Sequence, residues 1–387
     1  MHQNKIYFII TLLVLMLTSC IKSYEPVIES SDAVKYIVSG QVNLGDTVQR
    51  VNISKTSPVK EPWYYPISYC TVKILDDKGN SYPAIDLHDG NYEITIPASE
   101  LKTGSSFKVD IELPDGVNIV SDFDQINDCP DVDSVYYILQ DVPGSNPKIP
   151  AKGIQFYLNL DGKEVSSRNY RIDAVETWEY HSAYPIEWYY DGKIHHVVPI
   201  DFSRMVCWKT ALVKNVFTLT TNNLALNKYT QYPLHIVDNY SSPRLEYGYS
   251  LLIRQYALSD AAFTYWEKIQ NNSNQQGGLY EKQPLAVKGN MHNLTNPDQE
   301  VLGFFGATTV KSKRIFVNPI ENLPIEYDPH CEVGILLKNG LKQISPASYP
   351  AYLFGNNSGF QMVQIRTECV DCLFQGGKNV KPVFWPN

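Results

Sequence analysis

Short runs of alternating apolar and polar residues dominate the first third of the chain. Such alternation puts every second side chain on one face of a β-strand. The runs cover residues 36–42, 48–53, 71–75, 92–96 and 107–113. Turn-forming residues separate several of them, at residues 77–79, 89–90 and 114–116. We therefore predict an antiparallel β-sandwich of immunoglobulin-like or transthyretin-like type over residues 34–127.

The pattern changes beyond residues 122–133, where the alternating runs become longer and more aromatic. These runs cover residues 134–139, 153–160, 170–180 and 247–256. One helix is indicated after Ser259, which can cap it, because apolar residues follow at helical spacing: Ala262, Phe263, Trp266 and Ile269. We predict a larger, antiparallel, β-rich domain with one short helix over residues 128–387.

An apolar run at residues 6–17 follows Lys5 and closes on a Leu-Thr-Ser-Cys sequence that ends at Cys20. The run is too short for a permanent transmembrane helix, so residues 1–19 are predicted to be a signal peptide. A cysteine directly after small residues is typical of a bacterial lipobox, in which the Cys20 thiol is acylated. An ordinary cleaved secretory signal is the alternative.

Several acyl chains on Cys20 would give a stable membrane anchor, where one chain alone is marginal. Residues 20–33 are polar and aperiodic, which favours a flexible tether. The lipid bilayer is therefore an expected partner, through acylated Cys20. Nucleic acid is not, because the net charge of -8 comes without a visible basic patch.

Six cysteines remain after Cys20, and an even number in an exported protein favours disulfides. We predict one bond between Cys70 and Cys129. The other four are expected to pair among themselves: Cys207, Cys331, Cys369 and Cys372. A zinc site or a redox pair at the Cys-x-x-Cys sequence is the alternative, but Glu368 and Asp371 would oppose a thiolate there.

One aromatic cluster is the best candidate for recognition, because flat rings give wide contact at low entropic cost. Its members are Trp178, Tyr180, Tyr184, Trp188, Tyr189 and Tyr190. Packing within the strands is the alternative. Two Asp-Ser/Thr-apolar sequences also match a short O-glycosylation pattern of exported proteins, with Thr47 and Ser134 as acceptors.

No catalytic motif is apparent, and we expect a protein that is not an enzyme. Glu176 and Glu179 would face opposite sides of a strand, unlike the paired carboxylates of a glycosidase. His195 and His196 would do the same, so a shared metal ion is not expected. We predict no metal, no cofactor and no catalytic residues.

Several separate motifs resemble a known family, the domain of unknown function 4249. They lie at residues 277–281, 284–290, 300–307, 369–377 and 382–385, and the early residues 24–26 and 36–41 agree. Members are similar to lipoproteins of Bacteroidota that sit beside TonB-dependent receptors. Two departures are Cys70, where a small residue is expected, and Cys129, where no cysteine is expected.

This resemblance implies an outer-membrane, lipid-anchored location, with exposure on the cell surface among the alternatives. It implies a non-catalytic accessory role, ligand-binding or scaffolding, beside a TonB-dependent receptor in nutrient uptake. A surface hydrolase acting on glycans or peptides is the alternative, as is a structural lipoprotein of the envelope. A pocket with converging carboxylates would favour the enzyme, and a broad, exposed aromatic surface would favour the binding protein.

Overall fold

The computed structural model describes residues 34–57, 62–142, 151–274, 287–331, 334–335, 340–355, 362–364 and 366–386. The predicted signal peptide, Cys20 and the tether lie outside these residues. In the described part, no helix is both long enough and apolar enough to cross a membrane.

Strands make up most of the ordered structure, and their bounds follow in chain order. The first are β1 (Tyr36–Leu44), β2 (Val48–Lys55), β3 (Tyr65–Pro66), β4 (Thr71–Asp76), β5 (Ser81–Asp86), β6 (Asn91–Thr95), β7 (Ser106–Glu112), β8 (Asn118–Ser121) and β9 (Asp124–Gln125). Next are β10 (Ser134–Val142), β11 (Ala151–Asp161), β12 (Asn169–His181), β13 (Ile186–Tyr190), β14 (Ile194–Asp201), β15 (Val206–Leu212), β16 (Phe217–Thr220), β17 (Lys228–Asp238) and β18 (Gly248–Ala257). The last are β19 (Met291–Asn293), β20 (Val301–Val317), β21 (Gly334–Ile335), β22 (Ala351–Gly355) and β23 (Met362–Gln364).

These strands form three sheets. The largest runs in the order β15-β12-β18-β20-β1-β2-β6-β5-β4-β7-β8-β19, with β16, β3 and β9 attached at its sides. A second sheet is β10-β11-β17, and a third is β14-β13-β22-β23-β21. The prediction of a mostly β, sandwich-like protein with one helix is confirmed.

Two main hydrophobic cores fill the molecule. The first core is formed by strands that are far apart in the order of the large sheet. Its buried residues include Val38, Ile53, Phe107 and Ile111. The predicted turns close its hairpins with glycines at positive φ, at Gly79, Gly90 and Gly116. In the second core, the β10-β11-β17 sheet covers β12 and β18, and the Phe156 ring stacks on Tyr249 with centroids 5.7 Å apart.

Strand β20 belongs to both cores. Its first half pairs in parallel with β1 from Tyr36↔Val301 onward, and its second half pairs antiparallel with β18. Gly303 makes the parallel pairing possible: its φ is +101°, and a Cβ there would collide with the Val38 carbonyl oxygen. The predicted range 34–127 therefore omits residues 291–307, which return to the first core. Residues 36–387 form a single compact unit.

Helix α1 (Asp260–Asn274) starts where the sequence predicts. The Ser259 hydroxyl accepts a hydrogen bond from the Ala262 backbone N–H at 3.1 Å, as an N-cap does. Ala262 is buried, and the Trp266 ring stands 4.2 Å from the Arg171 guanidinium of β12. The helix thus covers the outer face of the large sheet.

The structure contains two disulfides, Cys207–Cys372 and Cys331–Cys369. The expectation that these four cysteines pair among themselves is confirmed. The predicted Cys70–Cys129 bond is wrong, because both are free cysteines. The physical reason is placement: Cys70 packs against the first core, whereas the Cys129 thiol contacts Gln255 of β18.

Candidate functional site

A cavity of about 320 Å³ opens where β12 ends. Its walls come from five separate stretches of chain: the end of β12, the loop before β15, the loop before β18, the segment after β20, and the C-terminal segment. The residues that line it are His181, Ser182, Ala183, Met205, Pro243, Glu246, Tyr247, Tyr327, Pro329, Cys331, Glu368 and Gln375. No single sequence motif contains this set.

Three aromatic rings line this cavity, those of His181, Tyr247 and Tyr327. The His181 and Tyr247 rings stack with centroids 3.5 Å apart, and His181 Nε2 lies 2.8 Å from Glu179 Oε1. Tyr247 and Tyr327 are each 37% exposed, so both rings remain available to a ligand. Planar or apolar groups of a ligand could pack against these rings.

The charges around the cavity are mostly negative. Glu246 and Glu368 line it, and Glu368 is paired with Arg366 at 2.6 Å. Burial raises the pKa of Tyr247, and the negative charge of Glu246 raises it further, so the phenol stays protonated. Among the described lining residues none is Lys or Arg. A cationic group could pair with the Glu246 carboxylate here.

A buried carboxylate stabilises the C-terminal wall. Asp371 is fully buried and accepts hydrogen bonds from the Tyr352 hydroxyl at 3.0 Å, from the Leu373 backbone N–H at 3.0 Å and from Arg204. Burial, followed by the charge of Asp371, raises the pKa of Tyr352 to about 12. The Asp371 carboxylate likewise raises the pKa of Arg204. The Cys-Val-Asp-Cys sequence is therefore a structural element in which both cysteines are oxidised.

Three of the six predicted recognition residues are buried, which corrects that prediction for them. Trp178 and Tyr180 lie in the second core, at 7% and 1% exposure. Tyr190 is 9% exposed and packs edge-on against Tyr349. Period-2 alternation in β12 puts Trp178 and Tyr180 on the face that lines the second core, where the Tyr180 hydroxyl donates to the Cys372 carbonyl oxygen.

The other three predicted rings are half-buried. Tyr184 lies between β12 and β13, where its backbone N–H donates to the Cys369 carbonyl at 3.0 Å. Trp188 stacks on His196 at 3.8 Å, and Tyr189 stacks on His195 at 4.6 Å, in the β13–β14 hairpin. Each histidine thus packs against its own cross-strand ring.

The remaining predicted positions differ in accessibility. Thr47 is exposed in the turn between β1 and β2. Ser134 is half-buried, and its hydroxyl accepts a hydrogen bond from Asn159 at 2.9 Å. Glu176 is buried between the sheets, where Arg244 and the Tyr249 hydroxyl bind its carboxylate at 3.2 and 3.1 Å. Glu179 lies outside this cluster, next to His181.

Sequence reasoning missed an exposed aromatic patch in the N-terminal part. We define it as Trp63, Tyr64, Tyr65, Tyr69 and Leu87, and each member is at least 43% exposed. A signal was present in the sequence, because three consecutive aromatic residues between prolines cannot all alternate into a core. Across the described residues, no three His, Cys, Asp or Glu side chains converge as a metal site requires.

Comparison with known proteins identifies the family of this chain. No curated protein matches the chain. The family model described as "Domain of unknown function (DUF4249)" matches residues 21–314, which is most of the sequence. The protein therefore belongs to the DUF4249 family.

Proposed function

We propose that this protein is an outer-membrane lipoprotein that captures a ligand without transforming it and serves as an accessory partner of a TonB-dependent receptor in nutrient uptake. The lipobox at Cys20 supports the location, and the family resemblance supports the receptor. The single observation that carries the binding role is the acidic, ring-lined cavity at the end of β12.

The ligand of this proposal bears an amine or guanidinium group, as a basic peptide does. The Tyr247 and Tyr327 rings can stack on such a cation, and the Glu246 carboxylate can neutralise it. The carboxylates are poorly arranged for hydrolysis. Glu368 pairs with Arg366, and Glu176 lies in a separate buried cluster.

Calorimetric titration of the protein with an arginine-centred tripeptide amide tests this role. The matched peptide carries citrulline in place of arginine, which keeps the shape and removes the charge. We expect Glu246→Gln and Tyr327→Ala each to weaken binding about fivefold or more, since exposed cation–π and ion pairs contribute roughly 1 kcal/mol. Glu267→Gln, on the exposed face of α1, is the control and should bind like the parent.

Equal affinity for the citrulline peptide would contradict a cationic ligand, and binding of a neutral oligosaccharide in its place would reassign the cavity. The receptor partner is tested separately, by a gentle-detergent pull-down through a C-terminal tag. A TonB-dependent receptor should co-purify. Cys20→Ser should release the protein from the membrane fraction, and a variant that still sediments with outer membrane would contradict the anchor.

A further inference from the structure

The aromatic patch presents five large side chains to solvent in one corner of the molecule. Trp63 is 73% exposed and Tyr69 is 77% exposed. Isolated apolar residues on a surface need no explanation, but contiguous apolar patches mark interaction sites. Tryptophan and tyrosine in particular combine an apolar ring with a polar tip, which suits the boundary between hydrocarbon and water.

Two members of the patch, Tyr64 and Tyr69, are held by hydrogen bonds to β2, β5 and the turn between β5 and β6. The Tyr64 hydroxyl accepts a hydrogen bond from Asn52 at 2.6 Å and lies 3.4 Å from the Asp89 carbonyl oxygen. The Tyr69 backbone N–H donates to the Asp86 carboxylate at 2.6 Å, and its ring packs beside His88. These two tyrosines are therefore presented on a hydrogen-bonded support.

The patch adjoins the point where the N-terminal segment enters the fold. Tyr36, the first residue of β1, is in register with Lys55 of β2, and Lys55 is in register with Tyr65 of β3. Neighbouring strands are about 4.8 Å apart, so the backbones of Tyr36 and Tyr65 are separated by roughly 10 Å. The Lys55 ammonium group also lies 5.3 Å from the centre of the Tyr36 ring.

This position limits the distance between the patch and the proposed anchor. Sixteen residues run from Cys20 to Lys35. Whatever their conformation, they span at most about 55 Å. An acyl chain at Cys20 would thus hold the Tyr36 end of the sheet within that distance of the lipid surface, which lets the aromatic patch reach it.

We propose that the aromatic patch inserts into the headgroup region of the bilayer and orients the protein on the membrane. The proposal rests on acylation of Cys20, which supplies the proximity, while the rings of Trp63, Tyr65 and Tyr69 supply the interfacial contact. Lys55 adds a positive charge near the rings and Asp86 a negative one, so the contact rests on the rings rather than on charge. The cavity at the end of β12 belongs to the other core.

Tryptophan quenching by brominated lipid tests the contact directly. The acylated protein is reconstituted in vesicles of brominated phosphatidylcholine with phosphatidylglycerol, and its fluorescence is compared with that in unbrominated vesicles. We expect a quenched fraction that disappears in Trp63→Phe and persists in Trp188→Phe, the control on the β13–β14 hairpin. Tyr65→Ser with Tyr69→Ser should reduce quenching of Trp63 at least twofold, with the melting temperature unchanged.

Sedimentation with the vesicles is measured on the same samples, so that the two proposals fail separately. Protein that sediments but shows no Trp63-dependent quenching overturns the patch and leaves the anchor standing. Quenching that is lost in Trp188→Phe instead also overturns it, because the hairpin would then face the lipid. If Cys20 is not acylated, the purified chain is added to the vesicles directly. Trp63-dependent quenching there still supports the patch, and its absence refutes it.

Discussion

Removal of the Cys207–Cys372 disulfide should cost more stability than any single contact in the second core. The bond joins residues 165 apart in sequence, from β15 to the C-terminal segment. Closing a loop of that length lowers the conformational entropy of the unfolded state, which stabilises the folded state by about 5 kcal/mol. The Cys331–Cys369 bond closes a loop of 38 residues, for which the same relation gives about 4 kcal/mol.

The double variant Cys207→Ala with Cys372→Ala is the perturbation. Alanine is preferred to serine because both positions are fully buried, and a hydroxyl there would lack a partner. Cys129→Ala is the control, because Cys129 is a buried free thiol whose loss removes packing without removing a cross-link. That control should cost about 1 kcal/mol.

The assay is urea unfolding followed by tryptophan fluorescence and by near-ultraviolet circular dichroism. The free energy of unfolding of the double variant should fall by about 5 kcal/mol more than twice the fall caused by Cys129→Ala. It should also fall by more than that of the double variant Cys331→Ala with Cys369→Ala. An excess below about 1 kcal/mol would refute the loop-closure reasoning. So would the reverse order of the two disulfides, which would mean that local packing sets the cost.

Three further predictions follow from local geometry. The double variant Trp188→Ala with Tyr189→Ala should keep the circular dichroism spectrum of the folded protein. Its free energy of unfolding should fall by about 1–2 kcal/mol, which is what two cross-strand ring stacks contribute. A variant that is unfolded at 25 °C would contradict this. In urea unfolding, Gly303→Ala should lower the free energy of unfolding by more than about 3 kcal/mol, because the added Cβ would collide with the Val38 carbonyl. Gly116 also has a positive φ, but a Cβ there meets open space, so Gly116→Ala should lower the free energy of unfolding by only about 1 kcal/mol. Burial raises the pKa of the Asp124 carboxyl in the folded protein, so folding favours the protonated carboxyl. The stability that the protonated carboxyl contributes is therefore fully present below the unfolded pKa and is lost as the pH rises through the folded pKa. Melting curves should therefore show Asp124→Asn gaining on the parent from pH 4 to pH 7, and a constant difference would show that Asp124 does not titrate in this range.

Local patterns predicted the parts of the fold that depend on neighbours in sequence. The alternation in β1, β2, β4, β6 and β7, the glycine turns and the Ser259 cap are all properties of short windows, and each is found in the structure. The return of β19 and β20 to the first core could not be predicted this way. No local pattern in residues 291–309 indicates that the strands they pair with lie 170 or more positions earlier in the sequence.

The candidate site was less predictable than the fold for the same reason. Composition favoured disulfides, but an even count does not say which thiols approach each other, and Cys70 and Cys129 pack in different surroundings. Aromatic density pointed to residues 178–190, yet density does not distinguish rings that fill a sandwich from rings that face solvent. The cavity joins Tyr247 to Tyr327 and Glu368 across long separations, which no local pattern encodes.

The dual membership of β20 has a kinetic consequence. Its pairing with β1 links Tyr36 to Val301, so the first core closes only after most of the polypeptide is available. Such high contact order predicts slow folding, because the entropy of a very long loop must be lost before the pairing stabilises it. A fragment of residues 34–127 would leave the edges of β1 and β8 uncovered and prone to associate. The two halves of the protein are thus expected to reach their native state in a single late step.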